Sequence, residues 1–319
     1  MNGVKMACPC VVLLGPTCAW KSEAAERLAA ELSAEIISCD SMQIYRGLDI
    51  GTAKPDAASR RRFAYHLVDC LDINEPYDAN RFVTRAQDAL AAIHGRGNRA
   101  VMVGGTGLYA RALIYGFELL PASPELFAEL TARCEQPGGR EELLAQIEAA
   151  AASPAAIHEE VYRNPRRLVR ACEVLALTGR LPWELQKKHN APGANFRQLC
   201  VIPDFAMLKE RIRRRTVLML ERGWVEEASR LAAAGLMETP TARQALGYRE
   251  IIDCLAGKIP GGVGVLPELL ANRTIQYARR QLTWFRHQHP GAQLLDISDE
   301  DGAADKIVAA LRGLAAELR

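Results

Sequence analysis

Short apolar runs, each followed by a segment of helical period, organise the first third of the chain. Val11 to Leu14 is wholly apolar and leads through Gly15 into an Ala/Glu/Leu-rich segment opening at Lys21. The change of period recurs through "EIIS" (Glu35 to Ser38), a helix from Arg81 to Ile93, "AVMVGG" (Ala100 to Gly105) and a further helix. Repetition of that unit predicts βαβ crossovers and a parallel sheet. From about Pro121 to Pro192 the pattern is helical throughout, with "ELLAQIEAAAA" and "NPRRLVRACEVLALTGR" broken by "QPGGR" and "APGAN". "QLCVIPD" (Gln198 to Asp204) then reads as a return to the sheet. Helices, a Gly/Pro-rich link "GKIPGGVG", a last strand "AQLLDI" and a helix from Ala303 to Leu318 complete the chain.

Parallel sheets bind ligands at the carboxyl ends of their strands. Three loops are expected there: "GPTCAWKS", "CDSMQIY" and "GGTGLY". The first stands between a strand and a helix, the context in which G-x-x-x-x-G-K-[ST] means phosphate binding. Backbone N–H groups and the helix dipole would face the phosphate, Lys21 would add a point charge, and Ser22 would ligate a magnesium ion. Trp20 occupies the position of the second glycine, so it is expected to point outward, reshape the loop or cripple it. Asp40 is expected beside that loop at the end of the second strand. It can serve as a general base or magnesium partner, or simply as a turn former. The expected fold is therefore an α/β, P-loop NTPase-like parallel sheet flanked by helices, residues 1–120 and 196–319, with an all-helical insertion over 121–195.

Composition narrows the setting. The chain has 319 residues, 49% hydrophobic and 24% charged, as in ordinary globular proteins. Its net charge of +2 conceals two basic runs, "LKERIRRR" (Leu208 to Arg215) and "RTIQYARRQLTWFRHQH" (Arg273 to His289). Either run alone reads as a solvated helix face. Together, with Tyr277, Trp284 and Phe285 interleaved, they suggest an RNA-facing surface, although the spacing of Trp284 and Phe285 fits core better than base stacking. The nine cysteines lack metal-ligand spacing and a disulfide pattern. A reducing cytoplasm is expected, without signal peptide or membrane span.

Seven ordered blocks resemble the tRNA dimethylallyltransferases, enzymes that prenylate the adenosine beside the anticodon. "VVLLGPTCAWKS" resembles their GPTxSGK[ST] loop, "DSMQIYRGLDIGTAKP" their DSMQ segment, and "AYHLVDCLDINEPYDANRF" their HHLID segment. "VMVGGTGLY", "NPRRLVRACEVLALTG", "LGYRE" and "RTIQYARRQLTWFR" resemble the GGTGLY, PxRxxRALEV, [IL]GY[RK]E and TRxYAKRQxTWFR blocks. The resemblance implies that Asp40 is the base, that Thr106 and Arg215 contact pyrophosphate, and that Gly15, Pro16, Thr17, Cys18, Ala19, Trp20, Lys21 and Ser22 hold the diphosphate of dimethylallyl diphosphate with Mg2+ on Ser22. It implies tRNA contacts at Asp40, Ser41, Met42 and Gln43, at Arg166, Arg167, Leu168 and Arg170 of the insertion, and at Arg243, Gln244, Gly247, Tyr248 and Arg249. The expected partners are tRNA and dimethylallyl diphosphate, with the chain acting as a monomer of bacterial type, since no zinc-finger extension follows. Departures from the family pattern are Ala19 and Trp20, Phe127 in place of an arginine, and Asn164 in place of an aspartate.

Three rival readings remain at this level. A P-loop kinase or NTPase would use Lys21, Ser22 and Asp40 on a nucleotide, but has no need of a basic, aromatic C-terminal half. An enzyme prenylating free adenine nucleotides would share the first loop and lack the insertion. A tRNA-binding homologue disabled by Trp20 would have little reason to keep Lys21, Asp40, Thr106 and Arg215.

Overall fold

The computed structural model describes residues 8–116, 120–185, 192–193 and 195–318. In chain order the elements are β1 (Cys10–Leu14), α1 (Lys21–Leu32), β2 (Ala34–Cys39), α2 (Ala57–Arg62), β3 (Tyr65–His66), α3 (Ala79–Gly95), β4 (Arg99–Gly104) and α4 (Gly107–Tyr115). There follow α5 (Pro124–Cys134), α6 (Gly139–Ala150), α7 (Glu159–Arg163), α8 (Pro165–Thr178) and α9 (Pro182–Leu185). The chain ends with β5 (Phe196–Pro203), α10 (Phe205–Glu221), α11 (Trp224–Ala233), α12 (Tyr248–Leu255), α13 (Leu266–Gln288), β6 (Gln293–Ile297) and α14 (Ala303–Ala316). Local chemistry sets several boundaries. The α3 helix starts two residues before the apolar pattern does because the Asp78 side chain accepts a hydrogen bond from Arg81 N.

Among the described residues the strands form one six-stranded sheet in the order β3-β2-β4-β1-β5-β6, every neighbouring pair parallel. Val11, Leu13, Ile36, Val101 and Val201 join residues of α1 and α14 in one core cluster, and the alternate residues Val12, Leu14, Ile37, Met102 and Ile202 are equally buried. Burial on both faces explains why the strands read as continuously apolar. β4 lies between β1 and β2, so Asp40 follows a strand that does not pair with β1. Alternating strands and helices announce a parallel sheet but leave its spatial order open.

Gly104 permits that order. A Cβ there would lie 2.0 Å from the carbonyl oxygen of Cys39, so the ends of β2 and β4 approach as closely as they do only without a side chain.

The chain divides into two compact units, Met1–Gly116 with Asn190–Arg319, and Phe117–His189. The second unit is a helical cluster in which α8 packs against α5, α6 and α7 around Leu143, Ile147, Leu168 and Cys172. No helix of the described residues is long and apolar enough to cross a membrane.

Gly104→Ala should destabilise the first unit by about 2–3 kcal/mol, the scale of overpacking a rigid site, because both atoms in conflict belong to backbone or Cβ. Chemical denaturation followed by circular dichroism measures it, and an unchanged midpoint would refute the close-approach argument.

Candidate active site

The loops after β1, β2 and β4 meet in a cavity of about 630 Å3 whose walls include Thr17 to Glu23, Asp40 to Gln43, and Val103 to Gly105. Residues of the C-terminal helices close it: Arg211, Arg215 and Met219 from α10, Trp224 from α11, and Thr274, Tyr277, Arg280 and Gln281 from α13.

The first loop is held from outside. Arg215 donates from Nη2 to Thr17 Oγ1 over 2.6 Å. Gln281, almost fully buried, accepts from Thr17 N over 2.9 Å at Oε1 and donates from Nε2 to Gly105 O over 2.9 Å, so one amide joins the first loop to the third. Lys21 donates from Nζ back to Pro16 O. Burial, and then the neighbouring Arg215 cation, lower the Lys21 ammonium to about 8, which leaves it charged at neutral pH but easily discharged above it.

Trp20 is resolved in a way the sequence did not suggest. Its backbone keeps the left-handed conformation of a loop glycine, φ 50° and ψ 12°, at the N-terminus of α1. Its indole does not point into solvent; it packs in the core cluster with Ala24, Leu28 and Ile307, leaving 7% exposed. Left-handed geometry costs an L-residue about 1–2 kcal/mol. Removing a large aromatic side chain from a core costs about 3–5 kcal/mol, so burial outweighs the strain.

In the second loop, Asp40 Oδ1 accepts from Met42 N (2.8 Å) and Gln43 N (3.2 Å), a turn that leaves Oδ2 free of those bonds. Thr106 accepts at Oγ1 from Ser41 N over 3.1 Å and is not among the cavity-lining residues; it fastens the second loop to the third. Gln43 is similarly oriented by others, accepting from Ser38 Oγ (3.0 Å) and donating to Thr52 O (3.2 Å) and Ala53 O (3.3 Å). Burial raises the phenol of Tyr277, and the charge of Asp40 raises it further, so a neutral hydroxyl borders the carboxylate.

Sequence reasoning missed the group beneath the second loop. Glu227, 2% exposed, accepts from three successive backbone amides, Asp49 N, Ile50 N and Gly51 N, at 2.8–3.1 Å, and from the Tyr248 hydroxyl at 2.6 Å. Gly51 is required there, since a Cβ would lie 2.2 Å from Trp224 Nε1. Lys54 holds the same loop by donating to Tyr45 O and pairing with Asp49 and Asp69. Glu227 stands in "GWVEEA" and Gln281 in "YARRQLTWF", strings whose helical period marks them as surface or core; no spacing signals either role.

Several residues implied as tRNA contacts are inside the protein. Tyr248 is fully buried, with its phenol raised by burial and by Glu227, and Gly247 is enclosed at φ +92° against Trp224. Leu168 has no exposed surface because it fills the centre of the insertion unit. Arg170 is spent on that unit's own structure, donating to Leu120 O and Pro121 O and pairing with Glu173. Arg166, Arg167, Arg243, Gln244 and Arg249 are exposed, although Arg167 pairs with Glu160, and Gln244 lines the cavity. Phe285 is buried, and Trp284 packs on Gly107 at the start of α4. Gly15 and Pro16, at the start of the loop, are buried and do not line the cavity; an added Cβ at Gly15 would meet Val201 O at 3.0 Å.

Among known proteins, the IPP transferase family model matches residues 43–288, and the isopentenyl transferase model residues 9–66. The chain is 40% identical over 288 residues to the tRNA dimethylallyltransferase of Deinococcus radiodurans, spanning 89% of this chain and 92% of that one. It is 41% identical over 291 residues to the protein of the same name from Thermus thermophilus, spanning 88% and 90%. The solved full-length tRNA isopentenylpyrophosphate transferase of Bacillus halodurans is similar at a TM-score of 0.68 and 33% identity over 97% of each chain. A eukaryotic dimethylallyltransferase, solved in snapshots of its action on tRNA, shares the fold at a TM-score of 0.76 and 24% identity, with 97% of this chain and 80% of that one covered.

Two measurements test the geometry. Inorganic diphosphate binding, followed by calorimetry, should weaken as pH rises through about 8, by up to tenfold per pH unit, because an unliganded Lys21 loses the proton that the anion requires. That component should vanish in Lys21→Met, and a pH dependence identical in both proteins would exclude it. Glu227→Gln should lower stability by about 2–4 kcal/mol, since an amide NH2 would then face backbone N–H donors, and amide exchange should accelerate at Asp49 to Gly51.

Proposed function

Because the chain belongs to the IPP transferase family, we propose that its three-loop cavity is where a dimethylallyl group passes from dimethylallyl diphosphate to the N6 amine of the adenosine 3′ of the anticodon in tRNA. The chain is a transferase that acts on tRNA, and this assignment replaces the kinase reading. The observation that carries the finer reading is the convergence of Lys21, Asp40, Gln43 and Arg215 on one cavity.

The reaction breaks the C1–O bond of the donor and forms a bond from N6 to C1. The electron pair leaves with the diphosphate, and the amine proton must be removed. The first loop would receive the diphosphate on backbone N–H groups at the N-terminus of α1, and Lys21 and Arg215 would balance the charge that accumulates as the bond breaks. Asp40 would take the amine proton at Oδ2 while its Oδ1 stays bound to the turn. Gln43, fixed from both ends of its amide, is suited to orient the base that enters beside Asp40 after leaving its stack. Thr106 would act chiefly by holding Ser41 and its neighbours in place.

Among the described residues no cluster of three or more His, Cys, Asp or Glu could hold a metal. Magnesium is commonly bound by one or two protein groups together with substrate phosphates and water. The exposed Ser22 at the start of α1 and the donor's diphosphate would hold it, and when bound it supplies charge neutralisation on the leaving group. The exposed Arg166, Arg167, Arg243 and Arg249 would meet tRNA phosphates or bases.

Incubation with labelled dimethylallyl diphosphate, magnesium and unmodified tRNA should place label on the adenosine 3′ of the anticodon. Label elsewhere, or on free adenine nucleotides instead, would overturn the acceptor. Asp40→Asn retains the Oδ1 acceptor of the turn and loses only basicity, so it should reduce kcat by about 10²–10⁴ with the fold intact. Retention of full activity would remove Asp40 from the role of base.

A further inference from the structure

The diphosphate loop of this chain is clamped along its length by one helix, α10. Arg211 and Arg215, four residues apart, lie on one face of it. Arg215 engages Thr17, the third residue of the loop. Arg211 engages the far end: its Nε donates to Cys18 O over 2.9 Å, its guanidinium carbon stands 4.4 Å from the centre of the Trp20 ring, and its Nη1 donates to Glu300 over 2.6 Å. Glu300 also pairs with Arg214, and both arginines hold its carboxyl below the usual range, Arg214 foremost. Cys18 and Trp20 are the two non-glycine residues of the loop at positive φ, 66° and 50°, and Arg211 touches both. Both also border the cavity with Lys21 and Ser22.

We infer that Trp20 and Arg211 are positioning residues for the diphosphate, with the Trp20 indole replacing by anchorage what a loop glycine supplies by conformational freedom. A glycine at position 20 would reach the left-handed conformation without strain but would leave it as freely. Trp20 is held there from two sides. The core cluster fixes its indole from below, and Arg211 covers the ring from above. Arg211, itself paired with Glu300, in turn holds the Cys18 carbonyl. With the carbonyl and the ring both held, the loop is fixed before the anion arrives, and binding need not order it. The consequence runs against intuition: restoring the family's glycine weakens diphosphate binding.

The inference rests on the first loop's being the diphosphate site, and its test reads binding separately from transfer. Inorganic diphosphate is titrated calorimetrically into the wild-type chain, Trp20→Gly, Trp20→Phe, Arg211→Lys and the Trp20→Gly/Arg211→Lys double variant, each shown folded by its melting curve. Trp20→Gly should raise Kd about tenfold and Trp20→Phe no more than about threefold, because a ring still fills the core site. Arg211→Lys should raise Kd about tenfold in the wild-type chain but less than twofold in the Trp20→Gly background. In the transfer assay, Trp20→Gly should raise KM for dimethylallyl diphosphate and leave kcat at saturation within about twofold. Tighter or unchanged binding by Trp20→Gly would overturn the proposal. So would an equal effect of Arg211→Lys in both backgrounds, which would make Arg211 a direct ligand of the anion. If no variant and not the wild-type chain binds diphosphate, the reading of the loop itself fails.

Discussion

One buried amide ties the first loop of the site to the third. A parallel sheet leaves the backbone groups at the ends of its strands unpaired, and in this protein Gln281 satisfies one from each of two loops, accepting from Thr17 N and donating to Gly105 O. An amide carries both a donor and an acceptor, and a residue lacking either function would leave a buried polar group without a partner. The first loop therefore depends on α13, more than two hundred residues further along the chain. Arg211 and Arg215 bring α10 into the same role.

The second loop is supported by a different device. Three successive N–H groups, Asp49 to Gly51, converge on the carboxylate of Glu227, with the Tyr248 hydroxyl as a fourth donor. A buried carboxyl group is tolerated where several donors satisfy its oxygens. The carbonyls of Thr52 and Ala53 then fix the amide of Gln43, so the orientation of a cavity residue is set by a carboxylate on α11 that never reaches the cavity wall. Gly247 and Tyr248 belong to this support: a turn that resembles an RNA contact when read as letters is, in three dimensions, buried beneath the second loop.

Trp20 shows how a loop's chemistry can depart from its pattern. Its backbone adopts the left-handed conformation, and burial of the indole offsets the strain that glycine would have avoided. Leu168 and Arg170 make the converse point. Both stand in a block that reads as basic and RNA-facing, yet the helical period turns Leu168 into the insertion's core, and Arg170 is consumed by carbonyls at that unit's start.

By itself the sequence determined the parallel α/β class, the helical stretch, the three loops and the identity of Lys21, Ser22, Asp40 and Arg215, because those depend on local period, on turn chemistry and on motifs carried by contiguous residues. It also determined the family, through blocks each short enough to read in one dimension. Only the tertiary structure decided that β4 separates β1 from β2, that Thr106 fastens loops together, that Tyr248 and Leu168 are buried, and that Gln281, Glu227 and Arg211 hold the site. The physical reason is common to all of these. Each is a contact between residues far apart in the chain, between groups whose partners are chosen by the packing of helices on the sheet, and neither periodicity nor spacing carries information about that choice.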